Sequence, residues 1–392
     1  MRTFGSILLL VIVLAGLTRC WSQMELVDRA FVQAAALDRT PDGGIQLTAQ
    51  IYKPGSDQQS SEHGKLGAST YVSIITRNLT VLGAVRDANN ELGRKLQLSH
   101  MSSLLISEDI AKSRILGHLL DFFSRDHEPR GTLSVIITKG QAKKYLQIQP
   151  MIETTMGQQL KEIEIKSFAF AGKTLETTVT DLDIIAKSPV PIAPVPYFIL
   201  RQEARKVASA SGLAIVNYLD GKMSGLIPAR HTPYALMLMN RYKGGVINLP
   251  CEEAANRSYK IGDSFEVRSL HTRIRPVVRQ DALEMKVSVS IEGSIGELSC
   301  RRVITEQETR TFLSRISTHM HDRLRETLLL LQREKADIIG VGNSLYRTRN
   351  RLWKVWEPDW PNRFAESDFS IDVKAKLLNT GIQAGKSDAS DG

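Results

Sequence analysis

The chain has 392 residues, of which 42% are hydrophobic and 24% are charged, and its formal net charge is +9. This length favours two or three domains over a single compact one. The composition excludes a collagen-like chain, an intrinsically disordered chain and a polytopic membrane protein. The positive charge would suit anionic lipid or nucleic acid, but the sequence contains no basic block with interleaved aromatic residues.

The first 19 residues have the pattern of a secretory signal peptide. Arg2 is basic, and the uncharged run over residues 4–17 is too short to cross a bilayer as a helix but matches the core of a signal peptide. Cys20 follows closely, in the position typical of the lipid acceptor of a bacterial lipoprotein. We therefore predict that residues 1–19 are removed and that Cys20 carries a lipid. Arg19 is unusual directly before such a cysteine, and the alternative is a plain signal peptide.

Residues 20–187 are predicted to form an N-terminal α/β region, which could divide further into lobes at 20–140 and 141–187. Strands and helices alternate along this region, which favours α/β or α+β architecture over a repeat array. The predicted elements are a hairpin within 30–52, a helix capped by Thr80, a strand over 103–107, a helix capped by Ser107, a buried strand over 132–138, a helix over 141–148, and a short helix followed by a strand ending near Phe170.

Residues 188–196 contain Pro189, Pro191, Pro194 and Pro196. Prolines at this spacing disfavour a helix and a central strand alike, because each lacks an N–H donor. We therefore predict a semi-rigid linker between two domains. The alternative is an ordered edge strand interrupted by prolines.

Residues 197–381 are predicted to form a mainly antiparallel sheet packed by one long helix, followed by a disordered tail over 382–392. The predicted elements are a helix over 201–210, a hairpin over 213–227 around Asp220-Gly221, a helix over 232–243, strands over 246–249, 264–278 and 282–292, the long helix from Thr305 to about Gly340, and a strand over 369–377. The whole chain is thus predicted to be a multi-domain α+β protein with mixed sheets flanked by helices.

The sequence lacks the motifs that carry common catalytic chemistry. It contains no GxSxG, no Walker A motif and no HExxH. His319 and His321 lie two residues apart on a predicted helix, so they cannot both reach one metal ion. We predict no enzymatic activity, no cofactor and no metal site. Cys251 and Cys300 either form a disulfide or remain free thiols.

Residues 336–360 are predicted to form a partner-binding surface, because they combine a basic run with three tryptophans. Arg and Trp are common at the energetic centres of protein interfaces, and we assign this role to Arg351, Trp353 and Trp356. The alternative is that the tryptophans pack the last strand onto the long helix.

Several stretches along the chain form a recognisable series. They are Cys20-Trp21 with Glu25-Leu26, Gly93-Arg94-Lys95-Leu96 with Ser99-His100, Leu120-Asp121-Phe122 with Arg125-Asp126 and Arg130, Lys139-Gly140 with Ala142-Lys143, the hairpin over 212–225, and Ala336-Asp337-Ile338 continuing to Leu345-Tyr346-Arg347. Together and in this order, they resemble the Ger(x)C family, the C-subunit lipoproteins of spore germinant receptors.

The resemblance implies a three-domain α+β lipoprotein on the outer face of the spore's inner membrane. It also implies two integral membrane subunits, of A and B type, as partners in a nutrient-triggered receptor. An alternative from another functional class is a solute-binding lipoprotein of a transport system. That alternative predicts a deep cleft between two similar doubly wound lobes.

Overall fold

The computed structural model describes residues 25–53, 70–251, 261–300 and 305–379. In these ranges the chain forms two β-sheets with helices packed against them. The strands are β1 (Arg29–Arg39), β2 (Ile45–Tyr52), β3 (Tyr71–Asn78), β4 (Lys95–Gln97), β5 (Ser103–Ser107), β6 (Ser134–Thr138), β7 (Ile192–Gln202), β8 (Lys206–Asn217), β9 (Lys222–Pro228), β10 (Gly245–Pro250), β11 (Gly262–Arg279), β12 (Ala282–Glu297) and β13 (Asp368–Asn379). The helices are α1 (Val81–Leu92), α2 (Glu108–Ser113), α3 (Leu116–Arg125), α4 (Lys143–Leu146), α5 (Met156–Lys166), α6 (Val179–Ala186), α7 (Thr232–Leu238), α8 (Glu306–Arg333), α9 (Val341–Thr348), α10 (Asn350–Trp356) and α11 (Trp360–Ala365).

The first sheet has the strand order β3-β2-β1-β5-β6-β7-β8-β9, and β4 pairs beside β1. Its central strands β1, β5, β6 and β7 run parallel, whereas β2, β3, β8 and β9 join antiparallel. Every residue of β5 and β6 is buried, as expected for parallel strands with helices on both faces.

Each face of the first sheet has its own core. Ile110 of α2 and Leu119 of α3 lie in one core, and Tyr145 of α4 lies in the other. The consecutive residues Ala35 and Ala36 of β1 point into different cores, because successive strand side chains alternate between faces. The first region is therefore a three-layer arrangement of helices, sheet and helices.

The proline-rich segment is not the linker that we predicted, because most of it belongs to strand β7. Pro194 pairs with Ile215 of β8 and Pro196 pairs with Leu213. On the other side, β6 reaches β7 only at Tyr197 and Phe198. Prolines two residues apart lack their N–H groups along the same edge of a strand, so that edge can stay unpaired while the opposite edge pairs. From Ile192 onward the segment is therefore an ordered strand, and its proline-containing part has one edge free of β6 although β7 as a whole lies inside the sheet.

Two other predicted elements are wrong. The predicted helix over 201–210 is instead the end of β7, a turn and the beginning of β8. The predicted strand ending near Phe170 is instead a π-helical turn over Ser167–Ala171 that continues α5 and ends at Gly172, where φ is +57°. In both places, pairing or packing with distant residues decides a structure that the local pattern leaves ambiguous.

The second sheet has the order β10-β11-β12-β13, and α8 covers one of its faces. Thr305 caps α8: its hydroxyl accepts a hydrogen bond from Glu308 N, and the Glu308 carboxylate accepts one from Thr305 N. The sheet is not wholly antiparallel, since β13 runs parallel to β12. The chain returns to β13 through α8 and three short helices, a crossover that is long enough to bring it back in the same direction.

The two sheets share one hydrophobic core. Val190 and Leu213 from the first sheet's end belong to the same cluster as Leu324 of α8 and Met285 of β12. The predicted α+β class, with mixed sheets flanked by helices, is confirmed. The predicted tail over 382–392 lies outside the described residues.

Candidate partner-binding surface

The segment predicted to contact partners folds as α9, α10 and the beginning of α11, between α8 and β13. Asp337 organises its first turn. The Asp337 carboxylate accepts hydrogen bonds from the backbone N–H groups of Val341 (3.0 Å) and Gly342 (2.7 Å) and from Nε1 of Trp360 (3.1 Å). Burial raises the pKa of this carboxyl above its ordinary value, and the three donors oppose that effect. Asp337 therefore ties the beginning of α9 to α11.

The three tryptophans of this segment are buried. Trp353 is 1% exposed, Trp356 is 0% exposed and Trp360 is 3% exposed. The ring centroids of Trp353 and Trp360 lie 5.2 Å apart, and all three indoles belong to the core shared by α8 and the second sheet. The packing alternative therefore describes Trp353 and Trp356, and neither offers a surface to a partner. A short amphipathic helix places its large aromatic side chains inward, which the tryptophan count alone does not reveal.

A polar contact fixes the buried face of α10 to the turn between β11 and β12. Trp356 Nε1 donates a hydrogen bond to Asp281 Oδ1 over 2.9 Å, and Arg363 pairs with the same carboxylate at 3.2 Å. The Arg363 guanidinium also lies 4.5 Å from the centroid of the Trp356 ring. The hydrogen bonds from Arg363 and Trp356 hold the pKa of the Asp281 carboxyl below its ordinary value. Sequence reasoning missed Asp281, because nothing in its local pattern marks it as a partner of a residue so distant in the chain.

The outward side of the same segment carries what we call the basic ridge, formed by Arg347, Arg349, Arg351 and Lys354. All four side chains are exposed, and none has an ion pair or a side-chain hydrogen bond to another described residue. Beside them, Tyr346 is 45% exposed and Val355 is 70% exposed. Arg351 thus lies on the surface, as its predicted role requires. Unpaired cations next to exposed apolar side chains favour an acidic partner surface.

Cys251 and Cys300 form a disulfide, with their Cα atoms 5.5 Å apart, which decides between the two alternatives for these residues. Asp263 lies close enough to both sulfurs to suggest a metal cluster. However, the sulfurs are bonded to each other, and Asp263 Oδ2 instead accepts a hydrogen bond from Arg315 over 2.8 Å. Cys251, Cys300 and Asp263 therefore have a structural role. Cys20, the predicted lipid acceptor, lies outside the described residues.

Two histidines lie between α7 and α8. His231 Nδ1 lies 3.1 Å from the hydroxyl of Thr327, which itself donates to the carbonyl of Arg323, so His231 Nδ1 is the donor. His231 Nε2 accepts a hydrogen bond from Arg230 Nε at 3.1 Å. The Nε2 contact requires a neutral ring, and burial together with the Arg230 charge lowers the pKa of His231. His319 lies 3.5 Å from the hydroxyl of Tyr234, and burial lowers its pKa as well.

One surface depression, of about 470 Å³, has a lining that includes Ser99, His100, Arg130, Lys161 and Glu176. A neighbouring depression of about 420 Å³ shares Glu176 and is lined by Arg241 and Lys243. The two sheets also differ in size and strand order. The described residues therefore do not form the pair of similar doubly wound lobes that the solute-binding alternative predicts.

Comparison with known proteins places these features in a family. Residues 22–196 match the model described as "Spore germination protein N-terminal domain". Residues 211–381 match the model described as "Spore germination B3/ GerAC like, C-terminal". The chain belongs to the Ger(x)C family of spore germination proteins.

Individual relatives support the same assignment over nearly the whole chain. Spore germination protein KC of Bacillus subtilis (strain 168) is 24% identical, over 96% of this chain and 95% of its own length. Spore germination protein B3 of the same organism is 23% identical, over 97% of this chain and 99% of its own length. The crystal structure of the GerBC protein superposes with a TM-score of 0.55 and 17% identity, covering 88% of this chain and 97% of that one. Among the described residues, every helix is too short or too polar to cross a membrane.

Proposed function

We propose that this chain is the C subunit of a nutrient germinant receptor and that it acts in spore germination by binding and assembly, without catalysis. The observation that carries this proposal is the match to both family models, which together extend from residue 22 to residue 381. Relatives named as spore germination proteins match over the same length. Among the described residues, the buried carboxylates of Asp337 and Asp263 are occupied by structural hydrogen bonds.

The proposed location is the outer face of the spore's inner membrane, through a lipid on Cys20. The uncharged segment over 4–17 and the cysteine that follows it support this anchor. A single lipid chain holds a protein only weakly, so a diacylglyceryl group or a second membrane contact is needed for stable attachment. The mass of the N-terminal peptide of the native protein tests this placement. A diacylglyceryl-modified Cys20 is expected, and an unmodified chain that begins at another residue would contradict it.

The proposed partners are two integral membrane subunits, and the basic ridge is the proposed contact surface. Its four cations extend from a segment that Asp337, Asp281 and the buried tryptophans hold firmly in place. A surface held by a packed core loses little conformational freedom when it binds, which favours association. Exposed charges of one sign also steer a partner of the opposite sign and raise the association rate.

Germination of spores that carry a less basic ridge tests this proposal. The ridge variant Arg347→Gln/Arg351→Gln removes two exposed cations without touching the core. The hairpin control Arg201→Gln/Arg205→Gln removes two exposed, unpaired arginines from the β7–β8 hairpin. We expect the ridge variant to slow nutrient-triggered germination strongly, while the hairpin control germinates normally and both variants respond normally to exogenous dipicolinate.

The measurement has two outcomes that would contradict the proposal. Normal nutrient germination of the ridge variant would show that the ridge is not the contact surface. An equal defect in both variants would show that overall charge matters and the ridge position does not. Immunoblots of purified spores control for the amount of each variant.

A further inference from the structure

The second sheet has one face covered by α8 and one exposed face. Alternate residues of β11 and β12 point away from α8, and those of β11 carry most of the basic groups. We call four exposed members of this face the basic stripe: Arg273, Arg275, Arg279 and Lys286. None of the four has an ion pair or a side-chain hydrogen bond within the described residues.

The strand register places like charges opposite each other in the basic stripe. Arg275 pairs across the ladder with Lys286, and the next residue in that row, on β13, is Ser370. Like charges directly opposite on one face of a sheet are destabilising. A fold that keeps this arrangement on an exposed face is expected to gain from an anionic surface that neutralises it.

Acidic residues occur on the same face, but they lie on the side of β12 and β13. Glu284 and Asp368 are opposite each other. Glu292 is engaged by Lys376 at 3.3 Å and Asp372 by Lys374 at 4.0 Å. After Glu266, the rest of strand β11 contains no acidic residue. Positive charge is therefore concentrated along β11 and on Lys286.

We propose that the basic stripe rests on the anionic headgroups of a phospholipid membrane. The exposed face beside it supplies hydroxyl groups from Ser288, Ser290 and Ser370 and the imidazole of His271, but no Phe, Tyr or Trp side chain among the described residues. Protein interfaces have aromatic and apolar centres from which charged residues are depleted, and the basic stripe lacks such a centre. Long basic side chains on a flat sheet suit a layer of phosphate groups, which attracts each cation within a Debye length.

This second contact would set the orientation of a chain that is attached at one end by a lipid. It rests on the membrane location in the proposed function, but it does not depend on the receptor partners. A lipid on Cys20 and a basic patch together provide the two signals that stable membrane attachment requires.

Sedimentation with lipid vesicles tests the basic stripe separately from the lipid anchor. The probe is the chain over residues 21–392, which lacks Cys20, mixed with phosphatidylcholine vesicles that do or do not contain phosphatidylglycerol. The stripe variant is Arg273→Gln/Arg275→Gln/Lys286→Gln. The control is Arg201→Gln/Arg205→Gln/Lys206→Gln, which removes the same number of exposed charges from the β7–β8 hairpin.

The unmodified chain should bind the anionic vesicles, should not bind pure phosphatidylcholine, and should dissociate as salt is raised. Each basic residue held near an anionic leaflet contributes roughly fivefold, the equivalent of about 1 kcal/mol, so the stripe variant should bind about 100-fold more weakly. The control variant should lose much less affinity for the anionic vesicles. Equal loss in both variants, retained binding of the stripe variant, or no binding of the unmodified chain would each overturn the proposal. If the stripe variant instead loses a receptor subunit in a pull-down while vesicle binding is unchanged, the stripe is a protein interface and the lipid assignment is wrong.

Discussion

Replacing Trp356 with alanine should destabilise the fold strongly even though the side chain belongs to a segment that looks like an exposed interface in the sequence. The indole is fully buried in the core shared by α8 and the second sheet. Truncation of a buried Phe or Trp to Ala costs about 3–5 kcal/mol, because the lost transfer energy adds to the cost of the cavity. The lost hydrogen bond to Asp281 adds little, since that carboxylate is 68% exposed and water can replace the indole donor.

Urea unfolding followed by far-ultraviolet circular dichroism measures this effect without relying on tryptophan fluorescence. We expect Trp356→Ala to lower the free energy of unfolding by about 3–5 kcal/mol and Trp356→Phe to lower it less, since the phenyl ring fills part of the same space. The neighbouring Arg351→Ala should change it by about 0.5 kcal/mol or less, because that side chain is exposed and unpaired. A loss below about 1 kcal/mol for Trp356→Ala would refute its placement in the core.

Two further predictions concern pH and redox state. Folding lowers the pKa of His231, so the unfolded state binds a proton there more readily than the folded state does. The contribution of His231 to the free energy of unfolding is therefore complete above the ordinary histidine pKa of about 6.5 and is lost as pH falls below it. Urea unfolding at several pH values between about 5 and 7.5 should therefore show that the free energy of unfolding falls less with decreasing pH for His231→Gln than for the unmodified chain. An equal decrease in both proteins would contradict the neutral-ring geometry. The Cys251–Cys300 disulfide closes a sequence separation of 49 residues, so Cys251→Ser/Cys300→Ser should lower the free energy of unfolding by about 2–4 kcal/mol, and an unchanged urea midpoint would show that the bond adds no stability.

The elements that sequence reasoning predicted correctly are those whose own residues contain the signal. The alternation of Met285, Val287, Val289 and Ile291 specifies a strand with one buried face, and the Thr305–Glu308 pair marks the beginning of α8. Both patterns persist in the structure because local preference and tertiary packing agree there.

The errors arise where distant residues decide the outcome. Pro194 and Pro196 fit into β7 only because β6 leaves that edge unpaired before Tyr197. The spacing of these prolines, by two, was a usable signal for a strand with one free edge. Residues 201–210 form a hairpin through pairing with β7, which no helical propensity of that segment reveals.

The candidate surface was predicted only in part, for a similar reason. Counting tryptophans and arginines drew attention to this segment but could not separate its buried side from its exposed one. That separation depends on the packing of the indoles against α8 and the second sheet, whose residues are far away in sequence. Arg351 and Lys354, three residues apart, share one face of α10, whereas Arg347 lies on α9 beyond the break at Arg349.

The most direct test of the central claim is affinity purification of the tagged native chain from detergent-solubilised spore inner membranes, followed by mass spectrometry of the proteins that accompany it. We expect two integral membrane proteins to co-purify with the chain in constant proportion. We also expect the ridge variant Arg347→Gln/Arg351→Gln to recover much less of them than the hairpin control Arg201→Gln/Arg205→Gln. Recovery of the chain without either membrane protein, from membranes that contain both, would contradict its assignment as a receptor subunit.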